Sequence, residues 1–309
     1  MSYLFGPVNS RRLGRSLGVD LLPHKTCTYN CLYCEVGPTT HLTITRQAWH
    51  VDDILRQLHD CLPGLASSLD VVTLAGSGEP TLNLGLADII AAVKALTSLP
   101  LAVLTNGSLL YLPEVRRDLL QADLILPTLT TVREDTYRRL HRPHPALTLQ
   151  SLLDGLFACR RECPAQFWLE VMLLKGVNDS EAELAALKEV IHRLAPDKIQ
   201  LNTAVRPVAD GAAQPLSPAD LSAIAAFLGD GAEVIASFPG PAPRGLGLTD
   251  QNLLAILARR PMTAPHLAQA LGLPLAQVQK RLASLQQQGL IHPHLYHNDT
   301  FYHCRPPNQ

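Results

Sequence analysis

Short apolar runs alternate along this chain with longer stretches whose apolar positions recur every three or four residues. The runs Gly18–Leu22, Val71–Ala75, Leu101–Thr105, Leu124–Pro127, Phe167–Leu174 and Lys198–Asn202 read as strands. Between them, Val51–Cys61, Leu86–Thr97, Leu149–Arg161 and Ser180–Leu194 read as amphipathic helices. Strands that are apolar throughout, each followed by a helix, imply a parallel sheet covered on its outer face. Six such β-α units over about 230 residues are enough for a partial (β/α)6 barrel or an open parallel sheet. Both architectures put chemistry at the C-terminal ends of the strands.

The pattern changes near the end of the chain. Phe238-Pro-Gly-Pro-Ala-Pro-Arg-Gly-Leu-Gly247 reads as a linker. Thr249–Arg260 is then helical in pattern, with Thr249 or Asp250 as a cap. Thr263–Ala270, the breaker Gly272-Leu-Pro274, and Leu275–Gln288 follow as a helix-turn-helix. From Gly289 to Tyr302 residues alternate around a turn at Asn298-Asp299, as in a hairpin. Three helices and a hairpin make a winged-helix pattern. The expected organisation is a catalytic domain over 1–240, a linker over 241–247 and a winged-helix domain over 248–309, and the linker predicts separate cores.

Of the 309 residues, 47% are hydrophobic, which suits a globular chain with a sizeable core. A net charge of −1 gives the whole molecule no field for holding nucleic acid non-specifically. The average conceals a basic tail. Beyond Leu246, Arg259, Arg260, Lys280, Arg281 and Arg305 face only Asp250 and Asp299, so the tail carries +3 and the remainder −4. The apolar stretch at the start is too short for a signal peptide and is followed by Arg11-Arg12. Leu86–Val103, the longest apolar stretch, carries Asp88 and Lys94, so no membrane span is expected and the protein is placed in the cytoplasm. In a reducing compartment its seven cysteines read as metal ligands, catalysts or core thiols rather than disulfides.

Three of them fall within eight residues, Cys27-Thr-Tyr-Asn-Cys31-Leu-Tyr-Cys34, just after the first expected strand. Four thiolates complete a [4Fe–4S] site, so three leave one iron without a protein ligand. An open position is what separates reactive metal sites from structural ones. Tyr33 is placed to lay a flat ring against a bound nucleoside. A structural zinc site is the competing reading and requires a fourth ligand such as His24 or His41. Cys61, Cys159, Cys163 and Cys304 read as core or surface thiols. At the next strand end, Gly76-Ser77-Gly78-Glu79-Pro80 lets backbone approach a ligand and offers a carboxylate.

The C-x3-C-x2-C spacing with an aromatic before the third cysteine resembles the motif of the radical S-adenosylmethionine (SAM) superfamily. Gly76–Pro80 resembles that superfamily's Gly-Gly-Glu-Pro motif, with Ser77 in place of one glycine. Phe5–Gly14, Thr26–Cys34, Gly76–Thr81, Leu104–Leu109 and Gln200-Leu-Asn-Thr further resemble a group called wyosine-synthase-like Fe–S oxidoreductases. The resemblance covers roughly residues 4 to 240 and implies a TIM-like partial barrel, with a [4Fe–4S] cluster on Cys27, Cys31 and Cys34 and with SAM on its open iron. It implies SAM contacts from Tyr33, Gly76, Ser77, Gly78, Glu79, Asn106, Thr128, Glu170 and Asn202. Turn chemistry is the plainer reading of these strand ends. A low-potential electron donor of the flavodoxin or ferredoxin type is implied as a partner.

Arginine beside proline-ordered backbone suits phosphate or carboxylate, so Arg142-Pro-His144-Pro145, Arg206-Pro207 and the group Arg11, Arg12 and Arg15 are candidates for substrate contact. A solvated loop surface is the alternative. Three functional classes compete. The first is a radical SAM enzyme acting on tRNA or another nucleic acid docked by the winged helix; the second acts on a peptide, protein or small molecule. The third is a cluster-bearing transcription regulator without turnover, which has no use for a SAM pocket. Lys280 and Arg281 alone in the recognition helix are few for reading DNA sequence.

Overall fold

The computed structural model describes residues 2–10, 12–235, 249–296 and 299–304. Its main sheet begins with β1 (Leu4–Ser10) and β2 (Gly14–Val19), an antiparallel pair. Two short strands, β3 (Thr26–Cys27) and β4 (His41–Leu42), then pair with each other apart from it. The sheet continues through β5 (Val71–Leu74), β6 (Leu101–Thr105), β7 (Leu124–Pro127), β8 (Gln166–Leu173), β9 (Lys198–Thr203) and β10 (Ala232–Val234). The order is β1-β2-β5-β6-β7-β8-β9-β10, and every neighbouring pair from β2 onward is parallel. Among the described residues the two edges do not pair, so this is a partial barrel and not a closed one.

Helices cover the outer face: α1 (Val51–Leu65), α2 (Leu86–Leu96), α3 (Pro113–Asp118), α4 (Glu134–His141), α5 (Leu149–Glu162), α6 (Glu181–Leu194) and α7 (Pro218–Leu228). Val72, Leu74, Val103 and Ile125 pack outward against Ile54, Leu58, Ile90 and Leu152 in one large core. The alternate residues Val71, Ala102 and Leu124 form a small inner cluster with Leu13, Leu104 and Trp168. Period-two alternation thus splits each strand between an outer core and an inner plug. Helix starts carry their caps: Ser180 accepts from the Glu183 amide, and Ser217 does so from Asp220, with Pro218 at the first helical position.

The six expected strands and four helices are all present within a few residues of their expected bounds, except the first strand. It ends at Val19 and not Leu22, because residues 20–22 turn toward the cysteine loop. Sequence patterning misses β1, β10, α3, α4 and α7.

The C-terminal residues form α8 (Asp250–Leu257), β11 (Met262–Thr263), α9 (Ala264–Leu271), α10 (Leu275–Gln287), β12 (Ile291–Tyr296) and β13 (Asp299–Cys304). The three strands make an antiparallel sheet of order β11-β13-β12. The expected linker and Asn298 lie outside the described residues. The barrel and the C-terminal unit each have their own core, and β1 contributes to both, with Leu4 in the barrel core. Val8 of β1 is buried in one cluster with Leu253, Ile256, Leu267 and Leu271. Asn9 Nδ2 donates to the Gln269 carbonyl at 2.8 Å, so the C-terminal unit covers the edge of the barrel sheet. A polar-looking first segment holds one apolar side chain for each of two cores, which linker composition does not reveal.

Candidate active site

The cysteine loop lies between the C-terminal end of β2 and α1, and backbone bonds fix it from two sides. Asn30 and Leu32 amides donate to the His141 and Leu140 carbonyls, each at 2.9 Å, and the His144 amide donates to Thr28 O at 2.9 Å. From the segment after β9, the Ala209 and Asp210 amides donate to Cys34 O and Leu32 O at 3.0 and 3.1 Å. Tyr29 is buried beneath the loop, edge-on to Tyr137 and tilted against His141.

Each of the three sulfurs has a nitrogen beside it. Lys25 Nζ donates to Cys34 Sγ at 3.0 Å, His141 Nδ1 lies 3.4 Å from Cys31 Sγ, and Asn106 Nδ2 donates to Cys27 Sγ at 3.6 Å. The other His141 nitrogen meets Thr130 Oγ1 at 2.7 Å, and Tyr33 OH lies 3.2 Å from Nδ1. Burial holds the imidazole neutral by lowering its pKa to about 3. It pushes the Cys27 thiol up to about 12, with Glu79 adding to the rise, and raises Cys31 as well. Such thiols give up their protons only when a strong Lewis acid replaces them. A donor set of three cysteines flanked by N–H groups aimed at sulfur suits an iron–sulfur cluster. Among the described residues, no three His, Cys, Asp or Glu groups close in on a single metal ion.

Gly76–Glu79 lies directly against this loop. The Lys25 amide donates to Ser77 O at 2.9 Å, and the Glu79 amide donates to Thr26 O at 3.2 Å. A Cβ on Gly78 would stand 1.8 Å from Thr26 O, so this approach requires glycine. Asp20 at the end of β2 accepts the Ser77 amide at 3.1 Å and its hydroxyl at 2.5 Å. Glu79 differs from its sequence-based role as an open acceptor. It is 2% exposed, and its oxygens already accept the Thr81 amide and hydroxyl, the Thr105 hydroxyl and the Asn106 amide. Its carboxylate ties the ends of β5 and β6 together, and burial raises its pKa against those four donors.

Thr128, Glu170 and Asn202 converge from three neighbouring strands. Glu170 accepts from Thr128 Oγ1 and from Asn202 Nδ2, each at 3.0 Å. Arg12 reaches the same carboxylate from the β1–β2 turn. Arg11 lies outside the described residues, and Arg15 pairs at the surface with Asp70 at 2.9 Å.

The substrate candidates are not gathered into one pocket. Arg142 is exposed and pairs with Asp210 at 2.7 Å, and His144 Nδ1 accepts the Ala146 amide at 3.3 Å. Arg206 is 1% exposed and pairs with Glu35 at 2.6 Å. Arg206 meets Glu35 beside Cys34, Arg142 meets Asp210, whose amide bonds Leu32 O, and His144 reaches Thr28 O through its own amide. Cys159 and Cys163 are buried with sulfurs 3.6 Å apart, Cys61 is exposed, and Cys304 is half-buried. Sequence reasoning missed Asp20, Lys25, Thr130 and His141. Only His24-Lys25, immediately before the motif, gave any signal. Two adjoining cavities of about 210 and 310 Å³ lie between this site and α8, both lined by Glu35, Val36, Arg259 and Arg260.

Cysteine loop, glycine strand end and partial parallel barrel together define the class. The model of the Radical SAM superfamily matches residues 21–187, and the chain belongs to that superfamily. Its members are enzymes that bind a [4Fe–4S] cluster and cleave SAM reductively, with electrons from a reductant such as flavodoxin or ferredoxin. Among curated relatives, "GTPase Obg" of Brachyspira hyodysenteriae is 34% identical over 93% of this chain and 43% of that protein. "UPF0026 protein MJ1312" of Methanocaldococcus jannaschii is 35% identical over 67% of this chain and 65% of that protein. The chain thus spans less than two thirds of the length of either relative. Among solved structures, "Structure of TYW1 with a lysine-pyruvate adduct bound" aligns at TM-score 0.52 and 19% identity, over 70% of this chain and 74% of that one, a likeness of fold. No helix among the described residues is long and apolar enough to cross a membrane.

Proposed function

We propose that Cys27, Cys31 and Cys34 hold the [4Fe–4S] cluster and that Gly76–Glu79 and Asn106 line the adjoining SAM site. When bound, the reduced cluster would give one electron to the SAM sulfonium, breaking its S–C5′ bond into methionine and a 5′-deoxyadenosyl radical able to abstract a substrate hydrogen. The chain's own residues bind, orient and exclude water. Lys25 and Asn106 stabilise the anionic sulfurs through N–H groups, and the His141 tautomer with its proton on Nδ1 would do the same for Cys31. Tyr33 stands at the loop for the nucleoside, and Thr128, Glu170 and Asn202 present a polar layer at the strand ends. Carbonyls of the Gly76–Gly78 backbone, rather than the fully engaged Glu79 carboxylate, are the acceptors for the SAM ammonium. The observation that carries this reading is the direct backbone bonding of the glycine strand end to the cysteine loop at Lys25 and Thr26. Anaerobic reconstitution followed by reduction with SAM tests it: 5′-deoxyadenosine is released slowly even without substrate.

For the substrate, tRNA or another nucleic acid docked by the C-terminal unit as a winged helix is the first reading, supported by the resemblance to wyosine-synthase-like proteins. A peptide or protein substrate is favoured by a specific observation. Arg281 of α10 is engaged with Asp250, which leaves that helix less charge for phosphate, while Leu275, Leu290 and Leu295 are exposed.

A further inference from the structure

Arg259, just beyond α8, spans the junction between the C-terminal unit and the barrel. Its side chain is 12% exposed. Nη1 donates to Ala255 O and Nη2 to Ser2 O, each at 2.8 Å. The guanidinium lies 4.6 Å from the centre of the Phe5 ring. Nε stands 3.2 Å from Asp20 Oδ2, and the Asp20 side chain is only 7% exposed.

Asp20 carries the argument inward. The carboxylate that meets Arg259 also accepts the Ser77 amide and hydroxyl. Gly76 presses on it so closely that a Cβ there would fall 2.3 Å from Asp20 Oδ1. Asp20 thus has little room to relax, and a buried carboxylate stripped of its cation is strongly penalised. A planar, many-donor guanidinium that is held at three other points fixes the position of its partner better than a surface lysine does. The chain of contacts runs from α8 through Arg259 and Asp20 to the strand-end loop beside the cysteines.

We infer that Arg259 is a positioning residue of the SAM site, acting through Asp20 on Ser77, so that the C-terminal unit is built into cofactor binding and is more than a docking appendage. This rests on the reading that Gly76–Glu79 lines the SAM site. It departs from the expectation of independent cores drawn from the linker.

The test uses the full chain carrying its cluster, with SAM affinity read by equilibrium dialysis and iron content and Tm read alongside. Arg259→Ala weakens SAM binding about tenfold, the loss of one buried ion pair. The loss falls on KM for SAM rather than on kcat, and iron content is retained. Arg259→Lys restores part of the affinity. Asp20→Asn weakens binding similarly, and the Asp20→Asn/Arg259→Ala double variant is no worse than either single one, because both remove the same link. Coupling is reciprocal, so SAM slows hydrogen exchange at Leu253–Leu257 in the parent chain and fails to do so in Arg259→Ala. An Arg259→Ala protein with a lowered Tm but parental SAM affinity would show that Arg259 only glues the two units together, and overturns the inference. Should Arg259→Ala not fold, Arg259→Lys and Asp20→Asn decide the question by the same readouts. Hydrogen exchange at Ser77–Glu79 in the parent chain separates the two levels: no slowing by SAM there removes the strand-end reading itself, whereas slowing there with parental SAM affinity in Arg259→Ala removes only the inference.

Discussion

Cys27, Cys31 and Cys34 are held by two unrelated segments and flanked by three nitrogen donors, so each replacement has a definite expected result. Cys27→Ala, Cys31→Ala or Cys34→Ala loses the cluster, whereas Cys159→Ala and Cys163→Ala keep about four irons per chain. Iron and sulfide analysis after anaerobic reconstitution checks this, and stoichiometric zinc in place of iron overturns the assignment. Lys25→Met removes both a charge and a donor 3.0 Å from Cys34 Sγ, so the cluster's midpoint potential moves negative, as read by redox titration. Glu79→Ala strands four buried donors and costs about 3 kcal/mol of stability, visible as a lower Tm, in addition to weakening SAM binding. The ligand cysteines were legible because their spacing is local. His141 and Asp20 were not, because their partners are remote: Cys31 lies 110 positions from His141, and Ser77 lies 57 from Asp20.

At the scale of elements, the strand ends do the positioning. Gly78→Ala forces the glycine strand end away from Thr26; the expected outcome is a protein that retains little iron and unfolds several degrees lower, checked by iron content and thermal melting. Elements with strong periodicity were readable: β6 and β7 match their expected bounds, and α6 starts at the cap residue Ser180. Others were hidden for identifiable reasons. α4 is Glu-Asp-Thr-Tyr-Arg-Arg-Leu-His and buries only Tyr137, Leu140 and His141, too few for an apolar stripe. β1 contains Gly6-Pro7 and ends in polar Asn9-Ser10, which breaks the alternation. α7 did carry a signal in Ser217-Pro218, a cap followed by proline at the first helical position.

For the whole molecule, the covered edge at β1 makes the C-terminal unit part of the stability of the barrel. A chain ending before Asp250 uncovers Val8 and leaves Asp20 without Arg259. Its expected behaviour is a lower Tm and weaker SAM binding than the full chain, measured side by side. If the C-terminal unit docks nucleic acid, binding of tRNA to the full chain falls steeply between low and moderate salt and weakens further in Lys280→Ala/Arg281→Ala. Salt-independent or absent binding in filter or mobility-shift assays moves the substrate toward a peptide or protein.

The sequence by itself determined the parallel α/β frame, the three-cysteine loop, the glycine strand end and the helical tail. Each is written in local spacing or in a periodicity of two or 3.6 residues. Tertiary structure decided the rest. It turned Glu79 from an offered acceptor into a brace between β5 and β6, and engaged Arg142 with Asp210 and Arg206 with Glu35. It also brought Arg259 onto Asp20 across 239 positions of chain. A side chain's chemical type is fixed by its codon, but whether its hydrogen-bonding capacity is spent inside the protein or left for a ligand depends on which neighbours folding delivers.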